Sequence, residues 1–460
     1  MVRELIARRF GYPLQGLVKG TRTNKLLAFL RESQYWDEQK LYDYRLDKLK
    51  RLIEHCYENV PYYGRLFREC KLKPSDIRII EDIKKIPILT KDIARKEPSD
   101  LIARGRYVKY VKKGKTGGTT GVPFIFYNDS NSRSMSWAAY NRWLEWMGIC
   151  YYGRTVSLWG QNRVIKESKL KKIYANCVDY ATNNITINAY RLNVGNMNAV
   201  LHKINKFHPL FIKGYASSMI RLAQYMNQNS ITIGSIRAIS TTTETLLPYY
   251  REYLESVFKV PVYDQYGCGE VTSIGFECGA HNGLHINMEH VICEVLGSGG
   301  DEVMNEDGLV IATDLDNYTM PFLRYDTGDI ARKSDEPCSC HVNQPRLLSI
   351  QGRLADVITL YNGQVVHGVF VTTLFHELGI HTDVISRFQA IQRRPGEIYL
   401  LLESDNQDAQ LHLNKLYQEL IKHFSKVQVK IVGKINNEPN GKFRYIKNLS
   451  DSNISDTTFL

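Results

Sequence analysis

Residues 111–128 read VKKGKTGGTTGVPFIFYN, and two incompatible phosphate loops share this stretch. Gly114-Lys115-Thr116 is the end of a G-x-x-x-x-G-K-[ST] pattern, which would make the fold that of a P-loop protein. That pattern needs a glycine at position 109, so that consecutive N–H groups curl round the phosphates, and the residue there is Lys109. It also needs a helix directly after Thr116, where the chain has Gly117, Gly118, Thr119, Thr120, Gly121 and then Pro123. The P-loop reading fails on spacing and on context. The second loop, Thr116 to Gly121, lets a backbone approach an anion at its glycines and offers the hydroxyls of Thr116, Thr119 and Thr120 as donors, with Lys112, Lys113 and Lys115 nearby. Taken alone, such a loop is equally an ordinary hairpin turn, and the rest of the chain has to decide.

Composition narrows the classes. A chain of 460 residues with 43% hydrophobic and 23% charged residues has room for a sizeable core and two or three domains. No apolar run approaches the roughly 20 residues that cross a bilayer. The opening MVRELIARRFGYPLQGL is basic but lacks the long apolar stretch and cleavage site of a secretory signal, so a cytoplasmic protein is expected. Nine cysteines, an odd number spread over a long chain, argue for reduced thiols. The net charge of +12 suits an anionic ligand, an acidic polymer or a membrane surface, which leaves room for peripheral membrane association. Without one concentrated basic run, nucleic acid is not an expected partner.

The pattern along the chain is α/β. Up to about residue 105 it reads as helical, with Leu46, Leu49, Leu52, Ile53 and Cys56 on one face and a break at Pro61. From Tyr107 to Arg346, strand-like runs (RTVSLWG, HPLFIKGY, IRAIST, VPVYDQYG) alternate with helical ones (SSMIRLAQYMNQN, LPYYREYLESVF), which places functional residues at strand ends. After Gly352 a helix, two strands, a helix and a strand form a smaller α+β unit. The expected domains are therefore 1–352 and 353–460.

Four further segments follow the threonine loop in order: TTTETLLP (Thr241 to Pro248), YDQYGCGE (Tyr263 to Glu270), LRYDTGDIA (Leu323 to Ala331) and NGKFRYIKN (Asn440 to Asn448). With NVPYYGRLF and KIPILTKDIARK near the N-terminus, these resemble the adenylate-forming superfamily, in its phenylacetate-CoA ligase-like branch that includes CapK-type capsule-biosynthesis proteins. The resemblance implies a large N-terminal adenylate-forming α/β domain with a small C-terminal α+β lid. It also implies a ligase that uses ATP and Mg²⁺: a carboxylate attacks the α-phosphate, pyrophosphate leaves, and a nucleophile displaces AMP.

On that resemblance, Thr116, Gly117, Gly118, Thr119, Thr120 and Gly121 hold the leaving pyrophosphate, and Glu270 binds the magnesium. Tyr266 lies against adenine, with Thr242, Thr243 and Glu244 lining that pocket and Asp264, Gln265 and Gly267 in the same motif. Asp329 accepts from both ribose hydroxyls, Arg353 belongs to the nucleotide set, and Lys442 brings a mobile cation to the α-phosphate. The chain also departs from the family. The domain junction usually reads Gly-Arg-x-Asp-Asp and here is GRLADV, with Ala355 for the first aspartate. Where CoA ligases carry a Gly-x-Asn-x-x-Pro loop, this chain has YNGQVVHG, which makes CoA an uncertain acceptor.

A separate cluster combines Cys278 and His285 (FECGAHNGLHINME) with Cys338 and Cys340 (EPCSCHVNQ). Three thiolates and an imidazole are a closed structural zinc set, with His281 or His341 as alternatives to His285; reduced thiols without metal are the plain alternative. Four protein ligands leave no open position for catalysis. The aromatic run Trp137, Trp143, Trp146, Trp159 and Tyr215 is either core or the lining of an aryl pocket.

The leading expectation is activation of a small carboxylic or amino acid for transfer to an amine, such as an amino sugar in surface-polysaccharide synthesis. The alternatives are a phenylacetate-type acyl-CoA ligase and, in another class, a non-catalytic nucleotide-binding scaffold of a polysaccharide-assembly complex.

Overall fold

The computed structural model describes residues 2–105, 111–115, 124–159, 169–353, 357–367, 369–382, 384–406, 408–436 and 443–448. The expected site residues 116–121 and Lys442, together with Ala355 and Asp356, lie outside the described residues, as do the side chains of Arg353 and His367.

The chain divides into two compact units. The first holds Met1–Thr155, Glu167–Ile185 and Tyr263–Ile350; the second holds Val156–Lys166, Thr186–Val262 and Gln351–Leu460. In the first unit the N-terminal hundred residues are helical, as the periodicity predicts. The helix Glu38–Asn59 starts at Asp37, whose side chain accepts from the Lys40 N–H at 2.8 Å. It stops at Val60 because Pro61 opens the next helix, Pro61–Glu69, at the first position, where a missing N–H costs nothing. The stripe Leu49, Leu52, Ile53 and Cys56 is fully buried, in one core cluster with Phe322 and with Val291, Val295, Val310 and Ala312 of the β-structure. Each such side chain stabilises the fold by roughly 2 kcal/mol.

That β-structure is a seven-stranded sheet in the order 291–296, 307–314, 325–334, 346–353, 284–286, 275–277, 265–266. The expected alternation of strands and helices therefore fails after Tyr263, where strands follow one another directly. Antiparallel neighbours need only short turns, and this segment is rich in them, from Asn282-Gly283 to Gly299-Gly300.

The five-stranded sheet has the order 184–188, 155–159, 211–215, 238–242, 262–263, with Phe211–Tyr215 and Ala238–Thr242 paired in parallel. A helix follows each of those two strands, Ala216–Gln228 and Pro248–Phe258, which is the α/β pattern read from the sequence. The C-terminal part adds a four-stranded sheet in the order 426–432, 397–403, 387–392, 446–448 and the hairpin Val357–Thr359 with Val365–His367. Within this second unit the C-terminal segment packs on the 216–258 helices: Tyr249 meets Phe375 and Tyr250 meets Tyr445, with ring centroids 6.3 and 5.9 Å apart. The compact unit thus joins residues that the linear reading assigned to 1–352 with the whole of 353–460.

Candidate active site

The first unit brings three of the sequence motifs together. Gly114 and Lys115 lie in a strand, Lys112–Lys115, paired antiparallel with Ile125–Asn128, so they are ladder residues and not part of a phosphate-cradling turn. This hairpin flanks the threonine-loop residues, and it is clamped against the Tyr263–Glu270 motif. Phe126 packs so closely on Gly269 that a Cβ there would lie 2.7 Å from the ring, and the Asn128 amide donates to the Gly269 carbonyl at 3.1 Å. Gly267 is needed for a different close approach: a Cβ there would lie 2.8 Å from the Ser273 nitrogen.

Glu270, next in sequence, is buried, and its carboxylate accepts from the Tyr325 hydroxyl at 2.8 Å. Burial, and then the Glu270 charge, holds the Tyr325 phenol far above its ordinary pKa, so it acts as a donor at all working pH. That bond uses one of the several lone-pair positions of a carboxylate, which leaves acceptor capacity for a cation. Lys91 completes the group, with Nζ 3.7 Å from the same oxygen. Leu89 puts it there, accepting from the Asp326 N–H at 3.0 Å and donating to the Arg324 carbonyl at 3.0 Å. Lys91 was not singled out from the sequence, although it lies in the quoted KIPILTKDIARK.

Tyr266 and Asp329 meet directly. The phenol donates to Asp329 Oδ2 at 2.8 Å, with Thr327 Oγ1 at 3.2 Å, and burial followed by the Asp329 charge raises the Tyr266 pKa well above the ordinary phenol value. Each side chain therefore fixes the other's position. Asp264 caps this edge: its side chain accepts from the Gln265 N–H at 2.8 Å, while its own N–H goes to Glu277 at 2.7 Å.

Thr242, Thr243 and Glu244 belong to the second unit. Thr242 ends the strand Ala238–Thr242, and Thr243 has φ +74°, a conformation that a β-branched residue adopts only under constraint. Glu244 accepts from the Ser217 N–H at 2.7 Å and hydroxyl at 3.0 Å, capping the helix Ala216–Gln228. Of the aromatic run, Trp143 is core, fully buried and donating to the Glu277 carbonyl at 2.7 Å. Trp159 and Tyr215 meet at a tilt of 41° in the second unit, with ring centroids 5.2 Å apart.

The cysteines converge as a set. One ligand atom from each of Cys278, His285, Cys338 and Cys340 lies within 4.8 Å of the others, with Cys278 and Cys338 sulfurs 3.7 Å apart and Cys340 Sγ 3.1 Å from His285 Nε2. Two matching turns present the thiols. The N–H of His281 returns to the Cys278 carbonyl at 3.0 Å and that of His341 to the Cys338 carbonyl at 3.1 Å, both histidines at positive φ, +50° and +63°. His281 and His341 thus close turns, and His285 supplies the imidazole. His285 Nδ1–H donates to the Gln344 carbonyl at 3.1 Å, which points the Nε2 lone pair at the sulfurs. Gln344 is itself anchored, its amide donating to Glu289 at 2.8 Å, and Glu289 is held by buried Arg142 at 2.8 Å. Burial pushes the Cys278 thiol up to about 12 and the His285 imidazole down to about 4. Neutral imidazole and clustered thiols are the donor set a soft, borderline cation such as zinc fits.

Comparison with known proteins shows what the chain is similar to. The CapK C-terminal domain family matches residues 358–449. Protein CapK of Staphylococcus aureus is 26% identical over 415 residues, 89% of either chain. Phenylacetate-coenzyme A ligase of Thermus thermophilus is 25% identical over 391 residues, 81% of this chain and 82% of its own. Among solved structures, 2-hydroxyisobutyryl-CoA ligase in the postadenylation state, in complex with R3-HIB-AMP, superposes with a TM-score of 0.73 over 91% of this chain and 93% of its own, at 16% identity. The last likeness is one of fold.

Proposed function

We propose, for a chain homologous to Protein CapK and the phenylacetate-CoA ligases and folded as an adenylate-forming ligase, a two-step ATP-dependent reaction. A substrate carboxylate oxygen attacks the α-phosphorus of ATP and pyrophosphate leaves, giving an acyl-adenylate; an acceptor then attacks the acyl carbon, AMP leaves, and the acceptor loses a proton. The observation that carries this reading is the convergence, in one unit, of Glu270, Tyr266 with Asp329, and the hairpin that flanks residues 116–121.

The reaction needs charge neutralisation and alignment more than an acid or base. Glu270 would hold Mg²⁺, which when bound supplies positive charge to the phosphate oxygens. Thr116, Thr119, Thr120 and their glycines hold the departing pyrophosphate, and Lys442 neutralises charge at the α-phosphate. Asp329, aligned by Tyr266, receives the ribose hydroxyls, with Thr242, Thr243, Glu244, Gln265 and Arg353 completing the nucleotide set. Lys91 stands by Glu270 as an additional cation for the phosphates. Cys278, His285, Cys338 and Cys340 would hold zinc, which when bound cross-links two turns of the sheet and takes no part in the chemistry.

For the acceptor we favour an amine, such as that of an amino sugar, over CoA. Where a CoA ligase carries a flexible loop, this chain builds a tight hairpin, Val357–Thr359 against Val365–His367, with Gly363 at φ +83° and Gln364 N–H bound to Asn362 at 3.0 Å. A long pantetheine arm needs room that an amine does not. The homology to phenylacetate-CoA ligases favours the thioester as the second reading.

ATP–pyrophosphate exchange against a pool of carboxylic and amino acids tests the first step. Acid-dependent exchange is expected, and a nucleotide-binding scaffold would show none. Product mass with amines and CoA in competition tests the second: acyl-CoA formed with a kcat/KM above every amine tried would replace the amine reading with the thioester one.

A further inference from the structure

We infer that the face built by residues 2–19 and the helix Lys169–Ala181 is a docking surface for an anionic lipid bilayer. Eight of the twenty exposed large hydrophobic side chains among the described residues lie in these two segments: Leu5, Phe10, Leu14, Leu17, Val18, Ile173, Tyr174 and Tyr180. An exposed Leu here or there is ordinary, whereas a concentration of this kind marks a contact surface.

The N-terminal helices are not loose. Ala7 is fully buried, and Gly11 presses on the carbonyl of Ala181 so tightly that a Cβ would lie 1.8 Å from that oxygen. Tyr12 meets Tyr151 edge to face with centroids 5.1 Å apart, and the Arg3 guanidinium lies 4.6 Å from the Tyr180 ring centre. One face of the segment is thus bound to the unit. The other carries Phe10, Leu14, Leu17 and Val18 at spacings of four, three and one, which is a helical stripe, and these side chains are 66%, 61%, 75% and 58% exposed. In the neighbouring helix, Ile173, Tyr174 and Tyr180 are likewise exposed, at 57%, 63% and 56%.

Charge decides the occupant. Residues 1–25 contain Arg3, Arg8, Arg9, Lys19, Arg22 and Lys25 against Glu4 alone. Cations flanking an apolar stripe are what an interfacial helix presents to anionic headgroups, with the apolar side chains entering the acyl boundary. A second copy is a poorer fit, because it would bring a second set of the same cations to the contact and no matching set of acidic groups. Among the described residues no helix is long and apolar enough to cross a membrane.

Co-sedimentation of the full chain with vesicles tests this. The chain is expected to pellet with phosphatidylcholine vesicles containing phosphatidylglycerol at roughly three parts in ten, not with phosphatidylcholine alone, and binding is expected to fall as salt is raised. Leu14→Ser with Leu17→Ser is expected to weaken binding by about tenfold or more, and Arg8→Glu with Arg9→Glu by a similar factor. These side chains are exposed, so the melting temperature should not move; if the serine pair does unfold the chain, the charge-reversal pair carries the test. Equal binding to both vesicle types, no binding to either, or variants that bind like the parent would each overturn the inference. Concentration-dependent dimerisation without vesicle binding would assign the face to a second copy.

Discussion

The cysteine cluster and the acidic site are built on the same sheet, yet they are organised in opposite ways. In the cluster, four donor atoms already lie together, and the contact from His285 to the Gln344 carbonyl serves to aim the fourth. In the acidic site each carboxylate is tied to a tyrosine, Glu270 to Tyr325 and Asp329 to Tyr266, and the expected cation and hydroxyls come from residues 116–121 and 442. A closed donor set can only hold; a set that substrate completes can turn over. Stability and activity should therefore separate cleanly between the two regions.

The largest effect expected is on stability. Protein purified without a polyhistidine tag should carry about one zinc per chain, and stripping it, or replacing Cys338 with Ser, should lower stability by roughly 4 kcal/mol, the linkage value for a ligand at about a thousand times its Kd. Metal analysis and thermal melts measure both. A metal-free preparation that melts no lower than one loaded with zinc would reduce the cluster to clustered thiols.

Lys442→Ala should do the reverse. Adenylation, read as pyrophosphate exchange, is expected to fall by about 10²-fold or more, roughly 3 kcal/mol of transition-state stabilisation, with the melting temperature unchanged. Exchange at the parent's rate would remove Lys442 from the mechanism.

How far the sequence reading reached follows from the same physics. The stripe from Leu46 to Cys56 and its break at Pro61 were legible because helical period and a missing N–H are local properties. The sheet from Gln265 to Arg353 was not, because short antiparallel strands leave no long-range mark and mimic the strands of an alternating α/β run. The cysteines were readable as soft ligands, but the choice among His281, His285 and His341 was not: it rests on two turns whose closing residues have positive φ. The strained backbone at Thr243 and the position of Lys91 beside Glu270 were equally hidden, since one is a dihedral and the other depends on Leu89 lying beside Tyr325.

The two regions also differ in how they answer to pH. Burial lowers the folded-state pKa of His285 from 6.5 to about 4, so its contribution to stability is present above pH 6.5 and is lost as pH falls through 4. Bound zinc, which competes with protons for the same ligands, has the same sign. Asp129 runs the other way: burial raises it to about 6, so its contribution is present at low pH and lost as pH rises through 6. Asp129 is common to loaded and stripped protein and cancels in their difference. The gap in stability between the two forms, and with it the gap in melting temperature, should therefore narrow from pH 7.5 to 5, the former by about 1.4 kcal/mol per pH unit for each proton displaced. A gap independent of pH would mean that the metal is held elsewhere.

The smallest effect concerns Lys91, and it asks whether the acidic site is as incomplete as its geometry suggests. Lys91 is the one basic side chain within 4.0 Å of Glu270 among the described residues, about one-third exposed, and its Nζ lies 3.7 Å from the carboxylate, close enough to attract but beyond a strong hydrogen bond. A lysine serving only to neutralise Glu270 would sit in contact with it. The separation instead fits a flexible cation that can turn to phosphate when nucleotide and Mg²⁺ arrive, since the metal then satisfies Glu270 and the ammonium gains the phosphates' charge. Lys91→Met keeps the apolar stem and removes the charge. It should lower kcat/KM for ATP by about tenfold, roughly 1.4 kcal/mol, chiefly by raising KM, and leave the melting temperature and the acid's KM alone. An unchanged KM for ATP combined with a lower melting temperature would make Lys91 a structural counter-charge, and the acidic site would then resemble the cluster in being held together by its own residues.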